Sequence, residues 1–178
     1  AARRLGLSVD IVPPDADLAG YRLVLLPVQV VVDDGLAQRL SASGAQLLAG
    51  PRTGSKTRDF AIPPALPPDG LQALIDIRVA RVESLPPGIS LAVGNGGVVT
   101  GWMEDVEAGA GVAVQSRLDD GRGLWFAAGR AHYLAGGVDA GLLGRVMAEV
   151  ASAAGLVVQD LGPDVRVERL GDLKFLFN

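Results

Sequence analysis

The chain has 178 residues and a net charge of −4, and 49% of its residues are hydrophobic and 20% charged. This composition excludes a disordered chain and fits one domain with at most a small appendage, while the charge gives no general attraction to nucleic acid or to an anionic membrane. The absence of cysteine excludes disulfides and thiolate chemistry, and the single histidine, His132, leaves little for a metal site, so that neither a metal nor a cofactor is expected.

The first 50 residues predict strands and a helix in alternation. The strand 21–28 is a nearly continuous apolar run, which is typical of a strand buried on both faces of a sheet. Asp33 and Asp34 offer N-caps to the helix, and Gly44 offers a stop. The order β-α-β predicts a parallel sheet with helices on its faces. The predicted elements are a strand at 7–12, a strand at 21–28, a helix at 35–44 and a strand at 45–50.

The stretch GPRTGSKT (50–57) is close to a phosphate-binding loop, G-x-x-x-x-G-K-[ST]. Such a loop must run directly into a helix whose N-terminus faces the phosphates. The residues that follow, RDFAIPPALPPDG, contain two Pro-Pro pairs, and proline is excluded from helix interiors. Nucleotide binding is therefore not expected. The segment is either a free surface loop or a binding or contact loop, since Arg52, Lys56, Arg58 and Asp59 concentrate charge there.

The second half of the chain predicts short strands separated by glycine turns, then a helix and a hairpin. The helical pattern is the longest in the chain, with an apolar face and a stop at Gly155. The predicted elements are a short helix at 71–77, a strand at 77–85, strands within 89–102, strands at 111–118 and 123–129, a helix at 138–155, and a hairpin at 165–178 about Gly171 and Asp172.

Residues that could carry catalysis are few. Ser55 and His132 are a serine and a histidine without an evident third partner, which is weak support for a nucleophile and base. A retaining glycosidase needs two carboxylates about 5 Å apart. The acidic residues after Trp102, which are Glu104, Asp105 and Glu107, are expected to lie in a solvated loop or at a helix start.

The sequence resembles the middle domain of family-42 glycoside hydrolases, the bacterial β-galactosidases. The matching segments are DIVPPDADLAGYRLVLLP (10–27), GPRTGSKTRDFAIPPALPPDGLQALI (50–75) and ARVESLPPG (80–88). The combination RTGSKT, IPP and LPP is the specific part. The chain has Pro-Pro-Asp-Gly at 67–70, where Pro-Pro-Gly-Pro is expected. The end of the chain, VRVERLGDLKFLFN (165–178), is similar to the start of the small β domain that follows in that family.

The resemblance implies a fold and a division of the chain. The fold expected is α/β, a flavodoxin-like three-layer sandwich with a mainly parallel sheet, as in class I glutamine amidotransferases. Residues 1–162 would form this domain, with its first strand upstream of residue 1. Residues 163–178 would begin a C-terminal β domain.

The resemblance also implies a function, a homotrimeric assembly and a cytoplasmic location. The catalytic glutamates would belong to a separate barrel of the parent chain, so no catalytic residue is assigned here. The chain alone is expected to be a non-catalytic trimerisation domain of a β-galactosidase, with no nucleic acid or membrane partner. From its density of cations, the loop 50–59 is expected to lie at a subunit contact or at the rim of a neighbouring active site, and the residues expected to bind or to contact another subunit are Arg52, Thr53, Ser55, Lys56 and Arg58.

Two other hypotheses remain open from the sequence. One is a stand-alone amidotransferase-like domain that binds a ligand without catalysis. The other is an independent enzyme that uses Ser55 or a carboxylate.

Overall fold

The computed structural model describes residues 1–162, 164–170 and 172–177. A short 3-10 helix, Ala2–Leu5, opens the chain. The two α-helices of the described residues are α1, Asp34–Ser43, and α2, Ala140–Ala153. The strands are β1 Leu23–Leu26, β2 Gln46–Ala49, β3 Ile77–Ser84, β4 Ser90–Ala92, β5 Val98–Ala108, β6 Ala113–Arg117, β7 Gly123–Ala128, β8 Ala131–Leu134, β9 Gly136–Val138, β10 Arg166–Leu170 and β11 Leu173–Phe177.

The first sheet has five strands in the order β1-β2-β8-β7-β6. Strand β2 pairs in parallel with β1 and with β8, whereas β8–β7 and β7–β6 are antiparallel. The central strands carry buried apolar side chains, among them Leu47, Phe126 and Tyr133. Because β1, β2 and β8 are parallel, their carboxyl ends lie at the same end of this sheet.

The second sheet is antiparallel and is organised by β5, the longest strand. Strands β3 and β4 pair with different parts of β5, and β9 pairs with it as well. An isolated bridge between Val93 and Leu118 joins the end of β4 to the end of β6. Strands β10 and β11 form a separate antiparallel hairpin. In α2 and β5, side chains such as Val146 and Met103 belong to one continuous apolar core.

Helix α1 is defined at both ends by side chains. The Asp33 carboxylate accepts a hydrogen bond from the Leu36 N–H at 2.8 Å, and Gly44 ends the helix in a left-handed conformation (φ 67°). Arg130, in the turn between β7 and β8, donates to two carbonyl oxygens in the last turn of α1, those of Leu40 (2.9 Å) and Ser41 (2.8 Å), and to that of Ala45 (2.6 Å), directly before β2. The first two contacts satisfy carbonyls at a helix end, and together the three attach the end of α1 to the first sheet.

Helix α2 is attached to the second sheet through its N-cap. Asp139 accepts from the N–H groups of Gly141 (2.8 Å) and Leu142 (3.0 Å), as an N-cap does. Its second oxygen accepts from the N–H of Val98, at the start of β5, at 2.6 Å. These backbone donors, Leu142 first, lower the pKa of Asp139. One carboxylate therefore fixes both the start of α2 and the start of β5.

The predicted fold class is wrong. The described residues contain two α-helices, only two of the strand pairings in the first sheet are parallel, and the second sheet is antiparallel. This is a mixed, mostly β architecture and not a flavodoxin-like three-layer sandwich. The physical reason lies between Ile77 and Leu134, where short turns and loops connect successive strands and leave no crossover helices to cover a parallel sheet.

Several individual elements also differ from the prediction. Residues 7–12 form no strand, the helix predicted at 71–77 is replaced by turns at 71–76 and the start of β3, and β1 lies at a sheet edge with only Leu26 buried. Strands β8 and β9 were not predicted. The predicted hairpin is confirmed, although its turn residue Gly171 and the terminal Asn178 lie outside the described residues, as does Pro163 at the proposed domain boundary.

The positions of both helices and of β2, β3, β4, β6 and β7 are confirmed to within a few residues. Among the described residues, neither helix has the length and apolar character that crossing a bilayer requires.

We predict that Arg130→Ala lowers the free energy of unfolding by about 2 kcal/mol, because three carbonyl oxygens lose a charged donor. The free energy of unfolding of Arg130→Lys should lie between that of Arg130→Ala and that of the unaltered chain, because an ammonium lacks the forked donors of a guanidinium. Chemical denaturation measures the change. Arg117→Ala is the matched control, because Arg117 donates to a single carbonyl, that of Gly121, in an exposed turn. If Arg130→Ala and Arg117→Ala lower the free energy of unfolding equally, the hydrogen bonds of Arg130 do not have the proposed stabilising role.

Candidate subunit-contact site

The cationic loop (residues 50–59) begins at the carboxyl end of β2, beside the end of β1. The Gly50 N–H donates to the Leu26 carbonyl at 2.8 Å. A Cβ at Gly50 would meet the Pro27 carbonyl oxygen at 2.3 Å, so only glycine fits this crossing. Turns and irregular backbone, not a helix, follow. Without a helix N-terminus the loop lacks the anion site of a phosphate-binding loop.

Residues 53 and 54 fix the shape of the loop. Thr53 is fully buried, and its hydroxyl lies 2.8 Å from the Gly50 carbonyl and 3.2 Å from that of Leu26. Gly54 has a positive φ of 62°, and a Cβ there would meet the Asp69 carbonyl oxygen at 2.3 Å. The Gly54 N–H donates to the Gln29 carbonyl at 2.9 Å. Thr53 therefore stabilises the shape of the loop from its buried side.

Arg52 is held in an uncommon backbone conformation that presents its side chain to solvent. Its φ is 66°, in the left-handed region. The Arg52 N–H donates to Glu104 Oε1 at 2.9 Å, and its guanidinium lies over the Trp102 ring, 5.1 Å from the centroid. Stacking of this kind pre-orients a guanidinium. Arg52 remains exposed and is able to bind a carboxylate through two parallel hydrogen bonds.

Glu104 is a buried carboxyl group that joins three parts of the fold. It is 1% exposed and accepts from Arg52 N–H, from Trp102 Nε1 at 3.0 Å and from the Tyr133 hydroxyl at 2.6 Å. Burial raises the pKa of Glu104 despite these donors. Burial, with the neighbouring Glu104, also raises the pKa of Tyr133 well above its usual value. The contact set ties β5, β8 and the cationic loop together.

The other predicted loop residues have different surroundings. Lys56 is half-buried, and its N–H donates to the Val30 carbonyl at 2.9 Å. Ser55 Oγ is buried without a hydrogen-bond partner. Arg58 forms an ion pair with Asp33, so the same carboxylate caps α1 and holds the loop. The Leu36 N–H first, and Arg58 next, lower the pKa of Asp33.

The catalytic candidates from the sequence do not form a catalytic constellation. Since Ser55 Oγ has no hydrogen-bond partner, it is not paired with His132. His132 lies in β8 with its ring 5.8 Å from that of Trp125, and burial lowers the pKa of His132. Asp105 and Glu107 are not in a loop; they lie on β5 in ion pairs with Arg81 and Arg78 respectively.

The role of Glu104 was not predicted from the sequence. In a half-buried strand, buried and exposed residues alternate. Met103 and Glu104 are adjacent and both buried, so this alternation does not predict that Glu104 is buried. The sequence feature that could have indicated a buried Glu104 is Trp102, which lies two residues before it in a β-rich run and can donate a hydrogen bond to it. No group of three or more histidine or acidic side chains is placed to hold a metal ion among the residues that the structure describes.

Comparison with known proteins gives consistent matches. A family model described as "Beta-galactosidase trimerisation domain" matches residues 1–156. A β-galactosidase of Thermus thermophilus is 41% identical over 182 residues, which cover all of this chain and 28% of that protein. A β-galactosidase of Halorubrum lacusprofundi is 39% identical over 111 residues, which cover 61% of this chain and 16% of that protein. The chain thus spans under a third of the length of these relatives.

Solved structures match as well. The crystal structure of a β-galactosidase from the psychrophilic Marinomonas ef1 has a TM-score of 0.94 and 38% identity, and the match covers 99% of this chain and 27% of that one. A β-galactosidase from Bacillus circulans sp. alkalophilus matches with a TM-score of 0.81 at 20% identity, covering 94% of this chain and 28% of that one, and shows likeness of fold alone.

We predict that the stability of the chain depends on pH through Glu104. A carboxyl group with a raised folded-state pKa contributes stability that is complete below its ordinary pKa and is lost as pH rises through the folded pKa. Relative to Glu104→Gln, the unaltered chain should therefore become progressively less stable as pH rises above the usual glutamate range. Urea denaturation of both chains at a series of pH values measures this difference.

The control for this prediction is Glu104→Ala, which leaves the donors of Arg52, Trp102 and Tyr133 without an acceptor. Since an unpaired buried polar group costs about 1–3 kcal/mol, this variant should be destabilised across the whole pH range. A stability difference between the unaltered chain and Glu104→Gln that does not change with pH would contradict a raised pKa.

Proposed function

This chain belongs to the family of β-galactosidase trimerisation domains, and from that membership we propose that it is the non-catalytic domain that brings three copies of a longer β-galactosidase together. The observation that carries the proposal is the family match over residues 1–156. The close structural likeness to the Marinomonas enzyme supports it. The partner is then a second and a third copy of the parent chain.

The hydrolysis of terminal β-D-galactosides belongs, in this proposal, to a separate barrel domain of the parent. A barrel of that kind needs about 250 residues, and this chain matches only 28% of the Thermus relative. The remainder of such a protein is long enough to hold it. A cytoplasmic location, and the division into residues 1–162 and a β domain that begins at 163, are parts of the same proposal.

The cationic loop is the proposed subunit contact. A three-fold ring needs two different patches that complement each other on every subunit. Arg52 is exposed and pre-oriented over Trp102, and Lys56 has no ion pair among the described residues. These two cations are suited to carboxylates of a neighbouring copy. Thr53, Ser55 and Arg58 contribute by holding the loop: the Thr53 hydroxyl bonds to the Gly50 carbonyl, the Ser55 N–H donates to the Arg52 carbonyl, and Arg58 pairs with Asp33.

We predict that the double variant Arg52→Ala, Lys56→Ala weakens trimer formation of the parent protein by at least about tenfold, since a buried charge contact costs on the order of 2 kcal/mol when truncated. Light scattering over a dilution series measures the mass. The matched control, Arg4→Ala with Arg117→Ala, removes two charges elsewhere and should leave the mass unchanged. A double variant that stays trimeric with normal turnover would refute the loop contact, although not the trimerisation function itself.

We also predict that residues 1–178 alone hydrolyse no β-galactoside, whereas the parent protein does. No nucleophile–base pair is formed at Ser55, and Glu104 is buried among Arg52, Trp102 and Tyr133. A chromogenic β-galactoside provides the assay for both proteins. Turnover by residues 1–178 that is abolished by Ser55→Ala or Glu104→Gln would overturn the non-catalytic assignment.

A further inference from the structure

The segment directly after the cationic loop carries two exposed apolar side chains. Phe60 is 71% exposed and Ile62 is 64% exposed, and the residues beside Phe60, Asp59 and Ala61, are exposed as well. A single exposed apolar residue is ordinary on a protein surface. Here a large aromatic and a β-branched side chain lie two residues apart on one loop, and together they form the apolar tip (Phe60 and Ile62).

Phe60 is held in a backbone conformation that bulky residues seldom adopt. Its φ is 59°, in the left-handed region, which glycine occupies readily and an aromatic residue does not. Strained residues of this kind concentrate at functional sites. Because the Phe60 side chain is mostly exposed, its contacts within the described part of the chain do not explain why phenylalanine occupies this position.

Hydrogen bonds fix the shape of the loop at the apolar tip. The Thr57 N–H donates to the Ala61 carbonyl, and the Phe60 N–H donates to the Thr57 carbonyl, both at 2.9 Å. The Thr57 hydroxyl accepts from the Ala61 N–H at 3.2 Å. Arg58 pairs with Asp33 at the start of α1. The loop therefore presents its tip in one conformation, which reduces the entropy that the tip loses on binding.

The apolar tip lies at the carboxyl end of the parallel strands, because it follows the loop that leaves β2. The termini of the chain lie toward the other end. Arg22, directly before β1, donates to the Gly155 carbonyl after α2 at 2.9 Å. The opening 3-10 helix contacts both α2 and β10. The adjoining domains of a longer parent would therefore connect at the end of the sheet opposite the tip.

We propose that the apolar tip is the apolar anchor of the subunit contact, and that it seats in an apolar cavity of a neighbouring copy of the parent chain. Arg52 and Lys56 then bind carboxylates at the rim of that cavity. The inference rests on the proposed trimerisation function and adds to it the side chains at the centre of the contact. Protein interfaces place aromatic residues at a desolvated centre and charged residues around it.

Three observations favour a second copy as the partner. The tip continues directly from the cationic loop, so one rigid segment presents both the apolar centre and the charged rim. The adjoining domains of the same chain connect at the far end of the sheet. A ring about a three-fold axis needs two different complementary patches on each subunit, and an exposed tip suits one of them. A small-molecule site is concave, whereas Phe60 and Ile62 are both more than half exposed.

Two substitutions at position 60 of the parent protein test the anchor. Phe60→Ser removes the aromatic ring, and Phe60→Gly removes it while it also relieves the left-handed backbone. Both should raise the concentration at which the trimer half-dissociates by at least about tenfold, as truncation of an aromatic hot spot does. Light scattering over a dilution series measures this concentration. Val157→Ser is the matched control, because Val157 is 76% exposed after α2, and it should leave the concentration unchanged.

Phe60→Gly distinguishes an anchor from a residue that serves only the fold. If the trimer of Phe60→Gly dissociates at the same concentration as the unaltered trimer, the anchor is refuted and the trimerisation function stands. A lower thermal stability of Phe60→Ser with an unchanged trimer equilibrium would also overturn the inference, because the tip would then pack on another domain of its own chain. An unaltered parent that is monomeric at every concentration would refute the trimerisation function and the anchor together.

Discussion

The buried carboxyl group of Glu104 is the interaction on which the arrangement of this domain depends. Glu104 lies on β5 of the antiparallel sheet, Tyr133 lies on β8 of the mixed sheet, and Arg52 follows β2. A single side chain therefore joins two sheets and the loop between them. Its burial is unfavourable for charge, and the three donors that face it compensate for part of that cost. Because each donor belongs to a different segment, the relative position of these segments is fixed by one group.

The cationic loop is a consequence of that arrangement. A left-handed Arg52 costs of order 1–3 kcal/mol, and the bond from its N–H to Glu104 offsets this strain. The close crossings at Gly50 and Gly54 allow no other residue. The loop is thus rigid at its base, where Thr53 is buried, and cationic at its surface. Rigid presentation reduces the entropy that a contact residue loses on binding, which is useful for a surface that must match another subunit.

How much the sequence could predict depended on whether a signal was local. Helix α1 was predictable because Asp33 and Gly44 carry the chemistry of its ends within the segment itself. The fold class was not predictable, because the β-α-β order of the first 50 residues is also typical of a parallel sheet. In addition, β7 and β8 are antiparallel because a two-residue turn joins them, and composition does not specify this turn. The segment 7–12 has the sequence of a strand, but no strand among the described residues pairs with it. The cations of the loop were identifiable from their density, whereas Glu104 was hidden among acidic residues whose individual burial depends on contacts distant in sequence.

The parallel pairing of β2 with β8 has a consequence for synthesis of the chain. Leu47 pairs with Ala131, so 84 residues must be made after Leu47 before its partner exists. At about 5–20 residues per second this takes roughly 4 to 17 s. During that interval the apolar edge of β2 has only β1 beside it, and unpaired edges of this kind associate with other chains. Nascent copies held close together on one messenger are therefore most exposed to mispairing before residue 131 emerges, and chaperone protection matters most within that window.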